Sequence, residues 1–446
     1  MLLKDLNYFP LDVESNIYGM TTLEFEDRTT KVLVASLECK IYCINYNRSK
    51  PHTREVEFTY IPNGAKIISI SALKRSPNDY VIGITHSLTP NAQKSSTRQQ
   101  PITSTRETND YGRLTTYYLN IYASGSVQPT FDLDYVAQGC QTRRLKYVPY
   151  HLFHTEHLTI TLKNDSVPAV TGKPFWLLSG GDNAIHPFCE DKPHQSFNEV
   201  SIEDYYPELS NLPGLALWID AINLNQGPER LERAIALGFE DGSVRLYQST
   251  YTTSNDSYEL VKESSYDAYT TIIPCVRFFK VCSYKSSALN KELVTSGVVH
   301  NIDDRKFEQI NLLVISSTNP SLHFQDVTRC GLEKCSELPE SRRLDCSATG
   351  IVGDINMDGL NEIFIGTHGR ELLTYKYDLD SGSYQLDNIE ELNYPLFAIA
   401  ILDLTGDCLK DMVILVSNGV LVMQVAVRCA IELCRNRVDR LLSLIK

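Results

Sequence analysis

One unit recurs along this chain: an apolar strand, a polar gap, and then two short strands around a tight turn. Each two-strand copy has an apolar run, a turn of Gly, Asn, Asp or Ser, and an alternating strand, which is the signature of a β-hairpin. Intact copies begin at Val32, Phe175, Ala234, Asn311, Glu362 and Met412. A further copy is split, with one strand from Tyr80 and the other from Thr115. The fold must therefore bring seven similar hairpin units together.

A further apolar strand precedes every hairpin, and fourth strands are predicted from Glu55 and from Tyr258. Units of three or four strands at a period of about 50 residues are typical of propeller blades. Two separate β domains are the alternative, but no linker rich in Pro, Gly or Ser divides the repeats. A closed ring also removes exposed sheet edges. We therefore predict an all-β fold: a single seven-bladed β-propeller over residues 1–425 with a short C-terminal α-helix.

Two segments depart from the repeat. The last unit lacks an outer strand because the pattern changes after Gln424, and we predict that Leu3 to Phe9 supply that strand and close the ring. An insertion at about residues 87–114, in the second blade, is rich in Ser, Thr, Gln, Arg and Pro and nearly lacks large apolar residues. Such a segment buries too little apolar surface to offset the cost of ordering, so we predict that it is disordered.

The final segment, residues 426–446, changes from a strand period to a helical one. Apolar residues that alternate spacings of four and three form one seam of an amphipathic helix. The seam residues are Val427, Ile431, Cys434, Val438, Leu441 and Ile445. This helix is expected either to pack on its own propeller or to bind a partner's helix through the seam, and the spacing is compatible with both.

The stretch "DINMDGLNE" carries oxygen-bearing side chains at its first, third, fifth and ninth positions. Calcium prefers six to eight oxygen ligands in such loops, with a glycine at the sixth position. The candidate ligands are Asp354, Asn356, Asp358, the Leu360 carbonyl and Glu362. A second copy, "DLTGDCLKD" from Asp403, has Thr405 and Cys408 where the first has Asn356 and Gly359, and we predict no calcium there. The alternative for both loops is a turn in which Asp and Asn bond their own backbone.

Several classes of function are disfavoured. The formal charge is −13 without a basic stripe, which argues against nucleic-acid binding. No Gly-rich phosphate loop, nucleophile elbow or kinase motif occurs, so we do not expect an enzyme. His151, His154 and His157 lack the spacing of a zinc motif. The chain has no signal-peptide pattern and no apolar run of bilayer-spanning length, so we expect a cytosolic protein without a membrane span and with reduced cysteines.

Two resemblances extend these predictions. "DINMDGLNEIFIG" and "DLTGDCLKDMVIL" resemble a pair of FG-GAP repeats, the calcium-loop blades of integrin-α-type propellers. More widely, the chain resembles the kaptin family through five segments in the same order along the sequence. These are "SNIYGM" from Ser15, "FTYIPNGAKIISIS" from Phe58, "LLSGGDNAIH" from Leu177, "YPELSNL" from Tyr206 and "THGRELLTYKY" from Thr367.

The kaptin resemblance implies a non-catalytic subunit of the KICSTOR scaffold at the lysosomal surface. That scaffold recruits the complex that activates GTP hydrolysis by Rag GTPases, so that amino-acid or glucose shortage silences the mTOR kinase. The implied partners are a second FG-GAP propeller as a heterodimer, a large scaffold subunit and a linker subunit. The alternative that the family implies is a role on F-actin, at lamellipodia and stereocilia. No cofactor is implied beyond Ca²⁺ in the Asp354–Glu362 loop.

Overall fold

The fold is described from a computed structural model, which covers most of the chain. The described residues are 3–12, 14–47, 50–76, 78–89, 115–124, 131–163, 167–191, 196–227, 230–253, 256–282, 308–342, 345–356, 360–378, 380–426, 431–432, 435 and 438–439. Within these ranges, strands β1 to β28 form seven four-stranded antiparallel sheets. Successive sheets contact one another through their first strands. The prediction of one seven-bladed β-propeller is confirmed.

The first four sheets follow the chain in order. Blade 1 contains β2 (Met20–Glu24), β3 (Thr30–Ala35), β4 (Ile41–Asn47) and β5 (Lys50–Glu55). Blade 2 contains β6 (Ala65–Ser76), β7 (Asp79–Leu88), β8 (Thr116–Tyr122) and β9 (Cys140–Leu145). Blade 3 contains β10 (Pro149–Lys163), β11 (Val167–Gly180), β12 (Ile185–Asp191) and β13 (Ser196–Glu199). Blade 4 contains β14 (Ala216–Gly227), β15 (Arg230–Phe239), β16 (Val244–Thr252) and β17 (Ser257–Tyr266).

The remaining three sheets complete the ring. Blade 5 contains β18 (Cys275–Cys282), β19 (Glu308–Ile315), β20 (Leu322–Phe324) and β21 (Cys335–Glu337). Blade 6 contains β22 (Ser347–Gly353), β23 (Glu362–Thr367), β24 (Glu371–Asp378) and β25 (Ser383–Glu391). Blade 7 contains β26 (Leu396–Leu402), β27 (Asp411–Val416), β28 (Gly419–Val425) and β1 (Leu3–Pro10). Short helices connect some strands: α1 (Leu133–Gln138), α2 (Ile202–Tyr205), a 3₁₀ turn (Pro207–Leu209) and α3 (Val327–Cys330).

The burial of each strand explains whether it could be predicted from the sequence. Every residue of β23 and of β27 is buried, because both faces of a second strand pack on the neighbouring blades. Such strands are continuous apolar runs rather than alternating ones. Outer strands instead alternate mainly between partly buried and exposed positions, as β25 does. Clusters of buried side chains lie between adjacent blades, so the core of this molecule is distributed around the ring.

The ring is closed by the two ends of the chain. β1 pairs antiparallel with β28, from Leu3 opposite Val425 to Pro10 opposite Gly419. Phe9 packs in the same buried cluster as Val34 of blade 1 and Val413 of blade 7. The prediction that the first residues supply the missing outer strand is confirmed.

One predicted strand was misplaced. The fourth strand of blade 1 was predicted from Glu55, but β5 ends there. Beyond it, the Val56 N–H donates to the Ile41 carbonyl, and Phe58 packs edge-on against Tyr122 of blade 2. The alternating apolar residues therefore anchor the connection between two blades. The true edge strand, "KPHTRE", is polar because it faces solvent, and so it lacked the apolar pattern of a strand.

Other predictions fall partly outside the described residues. Of the insertion at 87–114, only residues 87–89 are described, and Leu88 pairs with Thr116 of β8. Beyond β28, residues 431, 432, 435, 438 and 439 have helical backbone. None of the helices in the described ranges has the length and apolarity needed to cross a bilayer.

Candidate functional site

The two acidic loops occupy the same place in neighbouring blades. The first joins β22 to β23 in blade 6, and the second joins β26 to β27 in blade 7. In both loops the last acidic residue opens the second strand and is buried, as Glu362 and Asp411 show. The repeat geometry therefore explains why the two sequences resemble each other, whatever they bind.

The second loop is held together by its own hydrogen bonds. Asp403 accepts from the backbone N–H groups of Gly406 at 2.7 Å and Cys408 at 2.9 Å. Asp407 accepts from the Gln424 side-chain amide at 3.0 and 3.1 Å. A neutral amide donor thus lies where a bound cation would have to contact Asp407. Cys408 also adopts a positive φ of 69°, a conformation that favours glycine.

At the buried end of that loop, one carboxylate oxygen of Asp411 also has hydrogen-bond partners within the loop. Asp411 Oδ2 accepts from the backbone N–H groups of Leu404 and Thr405, each at 2.8 Å. Burial, more than any neighbouring group, raises the pKa of Asp411 to about 6. The arrangement matches the alternative in which Asp side chains close a turn on their own backbone.

The first loop shows the same closure at its buried end. Glu362 accepts from the Ile355 N–H at 3.1 Å and from the Asn356 side-chain amide. The oxygen donors of this loop are of the types that calcium binds, and Asp354, Asn356, Glu362 and the Leu360 carbonyl would hold the ion together with Asp358. Asp358 lies outside the described residues. Calcium in this loop stays a prediction.

The predicted helix seam is described at two positions. Ile431 and Val438 have helical backbone and expose 49% and 53% of their surface. Four further seam residues lie outside the described part of the chain: Val427, Cys434, Leu441 and Ile445. Packing of the seam on the propeller and binding of a partner's helix both stay predictions.

The three histidines of β10 belong to two different sites. His157 accepts from Arg233 Nη1 at 3.1 Å at the junction of blades 3 and 4. His151 and His154 line the central channel of the ring. Among the described residues, no group of three or more His, Cys, Asp or Glu side chains is arranged to hold a metal ion.

The central channel is a feature that sequence reasoning missed. The first strands of all seven blades line it, and it encloses a cavity of about 270 Å³. Its polar and aromatic lining includes Tyr18, His151, His154, Trp218 and Arg277. The sequence signal that could have identified the channel is the presence of polar and aromatic residues in inner strands that are otherwise apolar. "IPCVRFFKVC", which carries Arg277, is the clearest case.

Known proteins similar to this chain include one sequence family and several solved structures. A family model described as KICSTOR complex protein kaptin matches residues 3–435. The protein of that name from Mus musculus is 29% identical over 433 residues, which cover 95% of this chain and 88% of that protein. Among solved structures, the WD40 repeats of RRP9 are similar with a TM-score of 0.48 and 9% identity, over 95% of this chain and 100% of that one. Sqt1 from Saccharomyces cerevisiae is similar with a TM-score of 0.48 and 11% identity, over 95% of this chain and 99% of that one. Because the family model spans the whole ring from β1 to β28, the chain belongs to the kaptin family of KICSTOR complex proteins.

Proposed function

We propose that this chain is a non-catalytic scaffold subunit of a KICSTOR complex at the lysosomal surface. In that role it helps to recruit the complex that stimulates GTP hydrolysis by the Rag GTPases. It thereby restrains mTOR signalling when amino acids or glucose are scarce. The observation that carries the proposal is the match of the kaptin family model to residues 3–435, which include all seven blades.

The surface of the ring offers apolar positions for partner contacts. Bulges occur in three outer strands of the described ranges, and two of them skip an apolar residue: one in β1 between Asp5 and Asn7 and one in β17 opposite Gln248 and Ser249. The residues skipped by the pairing are Leu6 and Val261, which expose 42% and 67% of their surface. Bulges disrupt the regular pairing edge of an outer strand and so discourage unspecific strand addition. They leave these apolar side chains available for specific contacts.

The helical tail offers a second apolar surface. Ile431 and Val438 are seven residues apart, which places them on one face of a helix. We propose that this face contacts a second FG-GAP propeller, which forms a heterodimer with this chain, or the large scaffold or linker subunit. Helix-in-groove contacts use anchors at such spacings.

The test is affinity purification of the full-length tagged chain from fed and from starved cells. We expect the propeller partner and the large scaffold subunit to co-purify in stoichiometric amounts in both states. The double variant I431D/V438D should lose at least one partner, while I272D, at an exposed isoleucine outside the tail and outside both bulges, serves as the matched control. V261D tests the bulge of blade 4 separately. Loss with V261D alone would move the contact from the tail to blade 4.

Two outcomes would contradict the proposal. One is the absence of stoichiometric protein partners in both nutrient states. The other is co-purification of actin in place of scaffold subunits, together with co-sedimentation on filaments that weakens steeply with salt. Such salt dependence is expected of contacts between a basic segment and an acidic filament.

A further inference from the structure

The central channel has two chemically different walls. Blades 3, 4 and 5 contribute His151, Trp218 and Arg277, whereas blades 6 and 7 contribute Ile351, Ile399 and Ile401. In a ring of seven blades, blade 7 lies across from blades 3 and 4. A molecule in the channel would therefore meet polar donors on one side and branched aliphatic side chains on the other.

The polar wall is organised by a stack of rings. The Tyr18 ring lies 5.3 Å from the His151 ring, and His151 lies 4.4 Å from the Trp218 ring. The Arg277 guanidinium carbon lies 4.9 Å from the Trp218 ring centre, in cation–π contact. Tyr18 is fixed in turn by donating to the Leu217 carbonyl at 2.6 Å. The guanidinium is therefore positioned by aromatic packing.

Donors on this wall lack acceptors. Within the described part of the chain, the buried Arg277 Nε and Trp218 Nε1 have no hydrogen-bond partner. The Cys275 thiol lies beside the guanidinium and is only a weak acceptor. His151 Nδ1 accepts from the Ile219 N–H at 3.0 Å, and burial lowers the pKa of His151 well below its usual value. The neutral ring thus keeps its proton on Nε2. Buried donors without acceptors call for a bound group that accepts hydrogen bonds.

Nearby carboxylates limit which acceptor fits. Asp220 interacts electrostatically with Arg277 but is engaged by the backbone N–H groups of Phe278 at 2.6 Å and Ala221 at 3.1 Å. Burial raises the pKa of Asp220 to about 6, and the exposed Glu24 also lines the channel. Each negative charge on a ligand would meet repulsion from both carboxylates, so a ligand with a single carboxylate is favoured over a dianion.

We propose that the central channel binds a short aliphatic monocarboxylate. Its carboxylate accepts hydrogen bonds from Arg277 and Trp218 Nε1, and its alkyl group lies against Ile351, Ile399 and Ile401. A cavity of about 270 Å³ suits a small metabolite, since pockets for larger ligands begin near 300 Å³. This site is independent of the scaffold contacts proposed above, because it lies inside the ring.

The test is a titration of the full-length chain with butyrate, followed by saturation-transfer NMR and by the melting temperature at constant ionic strength. Butyramide serves as the neutral analogue of the same shape, and inorganic phosphate as a different oxyanion. We expect saturable binding of butyrate, none of butyramide, and weaker binding of phosphate. R277M should raise the dissociation constant by roughly tenfold or more, as expected for loss of hydrogen bonds to a charged group.

Two further variants complete the test. R230M removes an exposed arginine that pairs with Glu232 outside the channel, and it should bind butyrate as the parent chain does. W218F keeps an aromatic ring but removes the Nε1 donor, so it should weaken butyrate binding. It also provides a folded channel variant if R277M does not fold. Equal binding of butyrate and butyramide, unchanged binding by both channel variants, or Arg277-dependent binding of phosphate without butyrate would overturn the proposal.

Discussion

Two arginines on neighbouring blades, Arg233 and Arg277, differ in how many hydrogen-bond partners the ring provides for a guanidinium. Arg233 of β15 is buried between blades 3 and 4. It donates to both oxygens of Glu208, at 2.7 and 3.0 Å, and to the Tyr205 carbonyl at 2.7 Å. Its guanidinium carbon also lies 3.7 Å from the Tyr258 ring. Every nitrogen of this side chain has a partner.

Arg277 of β18 is held without such partners. It lies on the Trp218 ring, its Nε has no acceptor in the described part of the chain, and Asp220 accepts hydrogen bonds from the backbone N–H groups of Phe278 and Ala221. The difference separates two uses of a buried charge. Arg233 ties the connection that carries Glu208 to blade 4, whereas Arg277 keeps hydrogen-bonding capacity for something that enters the channel.

The sharpest test of this comparison replaces each arginine by methionine, which keeps most of the side-chain volume. R233M leaves the Glu208 carboxylate buried and unpaired, so the free energy of unfolding should fall by about 3–5 kcal/mol. R277M breaks no ion pair among the described residues and should cost less than about 1 kcal/mol. Urea unfolding followed by tryptophan fluorescence measures both.

The control is the double variant R233M/E208M, which removes both charges. It should recover much of the stability lost in R233M, because paired buried charges are often replaceable by apolar residues. Equal losses in R233M and R277M would show that the two arginines are both structural, and the comparison would fail.

Acid should affect the Arg233 junction next most strongly. Burial, and then Arg233 and Lys173, lower the pKa of His157 to about 3. The unfolded chain takes up this proton near pH 6.5, so the stability contributed by neutral His157 is complete above that pH and is lost as pH falls toward 3. The loss should approach about 1.4 kcal/mol per pH unit.

The variant H157Q keeps an acceptor for Arg233 but cannot titrate. The free energy of unfolding, measured with denaturant, should therefore fall less steeply between pH 7 and pH 4.5 for H157Q than for the parent chain. H52Q, on the exposed strand β5, should leave the slope unchanged. A slope that H157Q does not alter would mean that His157 is not the neutral acceptor of Arg233.

Much of the fold could be read from the sequence because hairpin strands carry strong signals. β27 is buried on both faces, so its apolar run had only one interpretation. Ring closure by β1 could be inferred because the last blade otherwise lacked a strand. β5 was misplaced because an edge strand facing solvent has no apolar pattern. Strands that are buried on both faces were therefore predicted correctly, and a strand that faces solvent was not.

The two arginine sites could not be read in the same way. Glu208 lies in a 3₁₀ turn between blades, and its pairing with Arg233 depends on how blade 4 docks against that turn. Trp218 and Arg277 meet only because β14 and β18 are neighbouring inner strands. Sequence identifies unusual residues on inner strands, but their contacts depend on the geometry of the closed ring.

The two acidic loops allow a similar comparison on a smaller energy scale. In the second loop, Gln424 and backbone N–H groups already occupy Asp403 and Asp407. If the first loop binds calcium as its sequence predicts, saturating calcium should raise the melting temperature by about 2 °C, a shift that magnesium does not reproduce. D358N should abolish the shift, whereas D407N, at the equivalent position of the second loop, should preserve it. A shift lost in D407N alone would assign the ion to the second loop, and no shift in the parent chain would make both loops hydrogen-bonded turns.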